Sequence, residues 1–305
     1  MFGLNYHHIR NDYALNLLDV KINLRAYKHI KFKTSILENI INAKEIGEKT
    51  FEIYVPRQIF YKAINVEFEL YHLRSKIQLN DFYLSKNISE SWKFTTFYYF
   101  FFFTNVALHR LLNRGYIYLD QASAHNLSST LNVFFPYVTK LGSGNWSFRK
   151  IAETTSTVTI ELKKVGSNVH QLVWQDLILT IKHFITKTST KLSDPEKSIL
   201  DNIYNNIKNR QNFSPSETRN YLNYVSEVAL EEINNKILCP QNKIENFLKN
   251  LSSFSYSDNL LSKINLSIII GQYLFILNKK IIEDLQEREK NQFKLLNKDK
   301  KKYIS

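Results

Sequence analysis

SWKFTTFYYFFFFTNVALHRLLNRGY, residues 91–116, is the stretch whose reading decides the architecture. Seven consecutive aromatic residues, Phe97 to Phe103, sit in a chain otherwise rich in Lys and Asn. Ser89 or Ser91 can cap a helix ahead of Trp92. At helical spacing Phe94, Phe97, Tyr98, Phe101, Asn105, Leu108 and Leu112 fall on one face. Phe100, Phe103, Ala107 and Leu111 fall on another, so the helix is apolar nearly all round and belongs in a large core or in lipid. Lipid fits poorly. The uncharged run from Phe94 to Leu108 is 15 residues, about 22 Å of helix against a hydrocarbon core of roughly 30 Å. It carries four Thr or Asn side chains and is followed at once by His109 and Arg110. A buried central helix over 92–113 is the expectation, with Arg110 and Arg114 near its negative end and Gly115 as its terminator.

Composition agrees with a soluble, mostly helical body. Apolar residues make up 44% and charged residues 23% of the 305, proportions of a globular protein. Only seven Gly and five Pro are present, too few turn-makers for a many-stranded fold. The one cysteine, Cys239, excludes an internal disulfide and a Cys-based zinc cluster. MFGLNYHHIRND has neither the basic start nor the apolar run of a secretion signal, so a reducing cytoplasm is expected, with no membrane partner. The net charge of +13 suits an anionic partner, RNA or DNA. Lys, Asn, Ile, Tyr and Phe are abundant together, however, which is also what an AT-rich genome writes.

Outward from the aromatic helix, Tyr27 to Lys33 nearly alternates and suits an exposed strand. Ser35 and Glu38 form a capping-box pattern ahead of Ile36, Ile40, Ile41 and Ala43. FEIYVP (51–56) and INVEFELYHL (64–73) read as strands, DQASAHNLSST as a polar loop, and WSFRKI with TVTIELKKV as a β-hairpin near 145–165. HQLVWQDLILTIKHFI (170–185) is an amphipathic helix. Ser193-Asp194-Pro195 and Ser214-Pro215 start further helices, KIENFLKNL and the long INLSIIIGQYLFILNKKIIEDLQEREKNQFKLL continue them, and KDKKKYIS is a basic tail. The fold expected is mainly α with a small β component (α+β), a helical bundle around the aromatic helix. A mixed region 1–185 would precede an all-helical region 186–305, with the boundary near 186–195.

One constellation points to catalysis. An apolar strand ending in Glu161-x-Lys163 is similar to the second half of the PD-(D/E)xK nuclease signature. There a divalent metal such as Mg is held by two acidic side chains and activates water against a phosphodiester, while the Lys orients that water. Glu153 or Asp120 would supply the second carboxylate; the PD itself is absent. Outside that reading no cofactor is implied. The eight His are scattered, and His7-His8-x-Arg10 has no helical partner for a metal pair. No phosphate-binding GxxxxGK[ST], dinucleotide GxGxxG or hydrolase GxSxG is present. For phosphate contacts the candidates are Lys21, Arg25, Lys28, Arg110, Arg114 and Lys164.

The pattern S-W-K-x-x-x-F-Y-Y-F-F-F-F-x-x-x-x-L-H-R-L-L-N-R-G, with SAHNLSS and SNVHQLVWQDL downstream, resembles HEPN-like proteins, loosely their bacterial YaaC-like branch, over residues 80–185. That resemblance implies a helical bundle, often dimeric, and in active members an RNase that uses R-x4–6-H. The motif is missing: Arg25 to His29 is one residue short, Arg114 to His125 is too long, and His109-Arg110 is reversed. The resemblance therefore implies a nucleic-acid-binding HEPN-like protein, in a prokaryotic antiviral or toxin-type setting, without assigning catalysis. Two alternatives stand beside it: the metal-dependent nuclease, and a non-enzymatic assembly subunit whose Phe/Tyr-rich surface binds a protein partner or a second copy.

Overall fold

The computed structural model of the chain describes residues 5–85, 87–135, 140–166, 168–188, 194–208, 214–234, 257, 259–290, 293, 294 and 296. The fold is mainly α with a small β component, one five-stranded antiparallel sheet in the order β1-β2-β5-β4-β3. The strands are β1 (Asn42–Gly47), β2 (Thr50–Pro56), β3 (Arg114–Leu119), β4 (Gly144–Glu153) and β5 (Thr157–Lys164). Among the described residues the α-helices are α1 (Asn5–Ile9), α2 (Phe32–Leu37), α3 (Arg57–Leu84), α4 (Glu90–Leu111), α5 (Gln121–Leu131), α6 (Val169–Thr188), α7 (Asp194–Ile207), α8 (Pro215–Tyr224), α9 (Ser226–Ile233) and α10 (Leu260–Arg288). Cys239, KIENFLKNL, Ser193 and the basic tail lie outside the described residues.

Contacts divide the chain into two compact units, each drawn from three separated segments of the sequence. One comprises Met1–His8, Tyr71–Asn105 and His170–Ile281; the other comprises Ile9–Leu70, Val106–Val169 and Ile282–Ser305. The reason is mechanical. The three longest of the described helices, α3, α4 and α10, each contribute residues to both.

In the first unit the aromatic helix is the dry rod expected of it. Phe94, Phe97 and Phe100 are wholly buried, each burial contributing about 2 kcal/mol. Phe97 meets Phe82 edge-on at 5.5 Å and Phe100 at 5.3 Å. Gly271 lets α10 approach closely: a Cβ there would stand 3.1 Å from the Phe97 ring. The polar residues inside the run bond along the unit, Asn105 Nδ2 to the Val173 carbonyl at 3.1 Å and Asn278 Nδ2 to the Thr104 carbonyl at 2.9 Å. At the helix start Ser89 Oγ accepts from the Trp92 amide at 3.4 Å, and Glu232 accepts from the Ser91 amide at 2.5 Å, negative charge where the helix dipole favours it. Of the described helices only α10 is long and apolar enough to cross a membrane, and 67% of that stretch is buried within the fold.

The second unit is built on the sheet. Phe51, Ile53, Val55, Ile117, Leu119, Trp146, Phe148, Val158, Ile160 and Leu162 are buried and, by strand alternation and register, share its inner face. Phe32 of α2 stacks on Phe148 at 4.0 Å and meets Phe60 of α3 edge-on at 6.1 Å.

Four local expectations fail here, each because tertiary burial overrides local pattern. Residues 64–73 are helical, within α3. Asn65 and Glu69 are as buried as Ile64, Val66 and Phe68, while Leu70 is 40% exposed, so the apparent alternation does not track the core. The segment 27–33 is no strand: Ala26 accepts from the His29 and Ile30 amides in a turn, and Ile22 and Tyr27 pack with Val66. The helix expected from Ser35 is instead α2, three residues earlier and ended at Leu37, because 42–47 is drawn into the sheet opposite β2. Ile41 is accordingly 52% exposed. The polar loop is α5, where Asp120 caps the Ser123 amide at 2.8 Å and Ala124, Leu127 and Leu131 form the buried stripe.

Candidate nucleic-acid interface

The face of the sheet opposite this core is assembled by register. Arg114 pairs with Arg149, Arg149 with Glu161, Glu161 with Glu52, and Glu52 with Lys44, a row of charge across all five strands. One step along the strands, Tyr116 pairs with Ser147, Ser147 with Lys163, and Lys163 with Thr50. Tyr118, 60% exposed, stands one step further beside Asn145. The edge strand β3, Arg-Gly-Tyr-Ile-Tyr-Leu, thus sends Tyr116 and Tyr118 outward and Gly115, Ile117 and Leu119 inward, while Arg114 at its start has its Nε buried. Alternation of this kind leaves one wet face.

Arg149 grips Glu161 in a fork, Nε to Oε1 at 2.8 Å and Nη2 to Oε2 at 2.9 Å. These hydrogen bonds raise the guanidinium's pKa further, against the opposing effect of burial. The arginine is 62% exposed at its side chain, and the fork fixes the plane of its remaining N–H donors. Lys163 is exposed beside it, two residues from Glu161 on the same face. Lys164 turns to the other face, where its Nζ donates to the Gly142 carbonyl at 3.0 Å.

The nuclease trio is not brought together. Glu153 pairs with Val158 on the inner side, beyond a register shift at Lys150–Ala152, so Glu153 and Glu161 lie on opposite faces. Glu153 accepts from Tyr61 Oη and from Lys150 Nζ, the latter at 2.7 Å. Burial raises its pKa, but those hydrogen bonds outweigh burial and hold it below the ordinary carboxylate value. Asp120 caps α5 and takes Lys33 at 2.8 Å, and the lysine is the main reason its carboxyl stays well below the usual range. The second carboxylate near Glu161 is Glu52, which sequence reasoning missed because only the β2–β5 register reveals it. Among the described residues no group of three or more His, Cys, Asp or Glu side chains could hold a metal ion.

The basic candidates divide. Lys21, Arg25 and Lys28 are exposed on the turn-rich segment before α2, and Arg114 is half-buried at the start of β3. Arg110 is a correction: it is 2% exposed and does not face solvent. Its Nε donates to Glu67 at 2.6 Å, Nη1 to the Arg114 carbonyl at 3.2 Å and Nη2 to the Tyr116 carbonyl at 3.0 Å, over the ring of Phe148. Gly115, expected to end α4, instead makes room for this guanidinium, since a Cβ there would lie 1.6 Å from Arg110 Nη1. The left-handed turn falls to Asn113, φ 56°. In the other unit Tyr98 Oη and His170 Nδ1 share a hydrogen bond of 2.5 Å, and Arg219 lies 4.8 Å above the Tyr98 ring. Burial lowers the His170 pKa, and Arg219 lowers it further. Leu84, Trp92, Leu179, Tyr224 and Leu230 are among the exposed apolar side chains of that unit.

No family model matches this chain, and no curated protein or solved structure matches it.

Proposed function

We propose that the protein binds nucleic acid through the open face of its sheet. The observation that carries this reading is the edge strand β3, which turns Tyr116 and Tyr118 outward beside Arg149 and Lys163. Cations neutralise phosphates and aromatic rings meet bases, the pairing of groups that nucleic-acid-binding surfaces combine. The net charge of +13 adds long-range attraction. The HEPN-like resemblance makes RNA the first ligand to try and a cytoplasmic antiviral or toxin-type role the setting. Fluorescence anisotropy with labelled RNA and DNA oligonucleotides, titrated with salt, tests it. Binding that weakens steeply as salt rises is expected; no affinity for either polymer at low salt defeats the reading.

A second reading, metal-dependent phosphodiester cleavage, is favoured by one observation, Glu52 standing opposite Glu161 two residues from Lys163. It requires Mg-dependent cleavage that disappears in Glu161→Ala. Against it, both oxygens of Glu161 are taken by Arg149.

A further inference from the structure

We infer that the ligand of the open sheet face is single-stranded, its bases stacked on Tyr118 and Tyr116 and its phosphates on Lys163 and Arg149; this rests on the nucleic-acid reading and narrows it. The two tyrosines are two residues apart on one strand, so their Cα atoms are separated by about 6.8 Å. That is about twice the 3.4 Å repeat of stacked bases along one strand of a duplex. Neighbouring bases can therefore each meet one of the two rings only where their mutual stacking is opened. In a duplex every base face is already covered, and a ring standing on a sheet would touch only edges and backbone. A single strand can splay its bases onto such rings, and the exchange is worth most where the ring is accessible. Tyr118 is accessible, at 60% exposed on an edge strand.

Charge complements this placement. Lys163 lies one strand beyond Ser147, the partner of Tyr116, and Arg149 lies two residues beyond Ser147 on β4. Cations thus flank the rings on the side of the neighbouring strands. Glu161 engages Nε and Nη2 of Arg149, which leaves Nη1 in a fixed plane for a phosphate oxygen. The carboxylates further in, Glu161 and Glu52, repel backbone phosphate and can accept from base amino and imino groups or a ribose hydroxyl. Phosphates are thereby directed to the lysine and arginine, and base edges toward the sheet centre.

The test uses the full-length protein and one labelled oligonucleotide, offered as a single strand and annealed to its complement, at low salt. Affinity at least about tenfold higher for the single strand is expected, with a loss of about tenfold in Tyr118→Ala and near-full affinity in Tyr118→Phe, which keeps the ring. Circular dichroism and an unchanged melting temperature show that the exposed Tyr118 site has not disturbed the fold. Equal affinity for duplex and single strand, or binding indifferent to Tyr118→Ala in a folded variant, overturns the inference while leaving nucleic-acid binding in place. Failure of every oligonucleotide to bind removes the broader reading, and this one with it.

Discussion

Arg149 holds both carboxylate oxygens of Glu161 from the adjacent strand, at 2.8 and 2.9 Å, and on its other side Glu161 faces Glu52. An acidic side chain that the sequence offers as a metal ligand is thus the orienting partner of a cation. Glu161→Gln removes one negative charge from the face and releases the fork. Nucleic-acid affinity should rise several-fold at low salt, with a steeper salt dependence. The pair is solvent-facing, so the melting temperature should reflect a loss under about 1 kcal/mol. If Glu161 served a metal instead, the same variant would abolish Mg-dependent cleavage.

Lys163→Ala should weaken binding of every oligonucleotide sequence by a similar factor and lower the slope of log affinity against log salt by about 1, as expected of a single phosphate contact. Anisotropy at several salt concentrations reads both quantities. Lys164→Ala, on the other face, should leave the slope unchanged.

Gly115→Ala forces a methyl group into the space of the Arg110 guanidinium, at a φ of +152°. A cost of about 3 kcal/mol or more in urea unfolding is expected, as for overpacking combined with disruption of a buried ion pair. The same substitution in an Arg110→Ala background should cost at least about 1 kcal/mol less, because the two positions share one space.

His72 and His109 are buried histidines whose pKa values are depressed, that of His72 to about 3, chiefly by burial and then by neighbouring cations. In the unfolded chain each binds a proton near its ordinary pKa, so below about 6.5 the unfolded state holds more protons and stability falls with pH. From pH 6 down toward 4 each should contribute a decline of up to about 1.4 kcal/mol per pH unit. His72→Phe, which keeps the stacking on Phe275, should flatten the curve of melting temperature against pH over that range.

How far the fold was legible depended on what each segment packs against. The aromatic helix was readable because an all-round apolar surface admits few environments, and its Thr and Asn residues argued against lipid. α3 was not, because Asn65, Glu69 and His72 are buried beside Ile64 and Phe68, which erases the helical stripe. β3 carried its signal in Tyr-Ile-Tyr-Leu, masked by Gly115, which read as a helix end and proved to be the clearance for Arg110. The hairpin of β4 and β5 was local and was found. The opposition of Glu52 and Glu161 was beyond reach, since it depends on which distant strands become neighbours.

The interleaving of α3, α4 and α10 between two compact bodies has a practical corollary. Neither body corresponds to one continuous length of polypeptide, so no truncation from either end and no single internal cut yields one of them complete. Expression of either body alone should give material that fails to fold, and mapping of any binding activity to one body must rest on point substitutions in the intact protein.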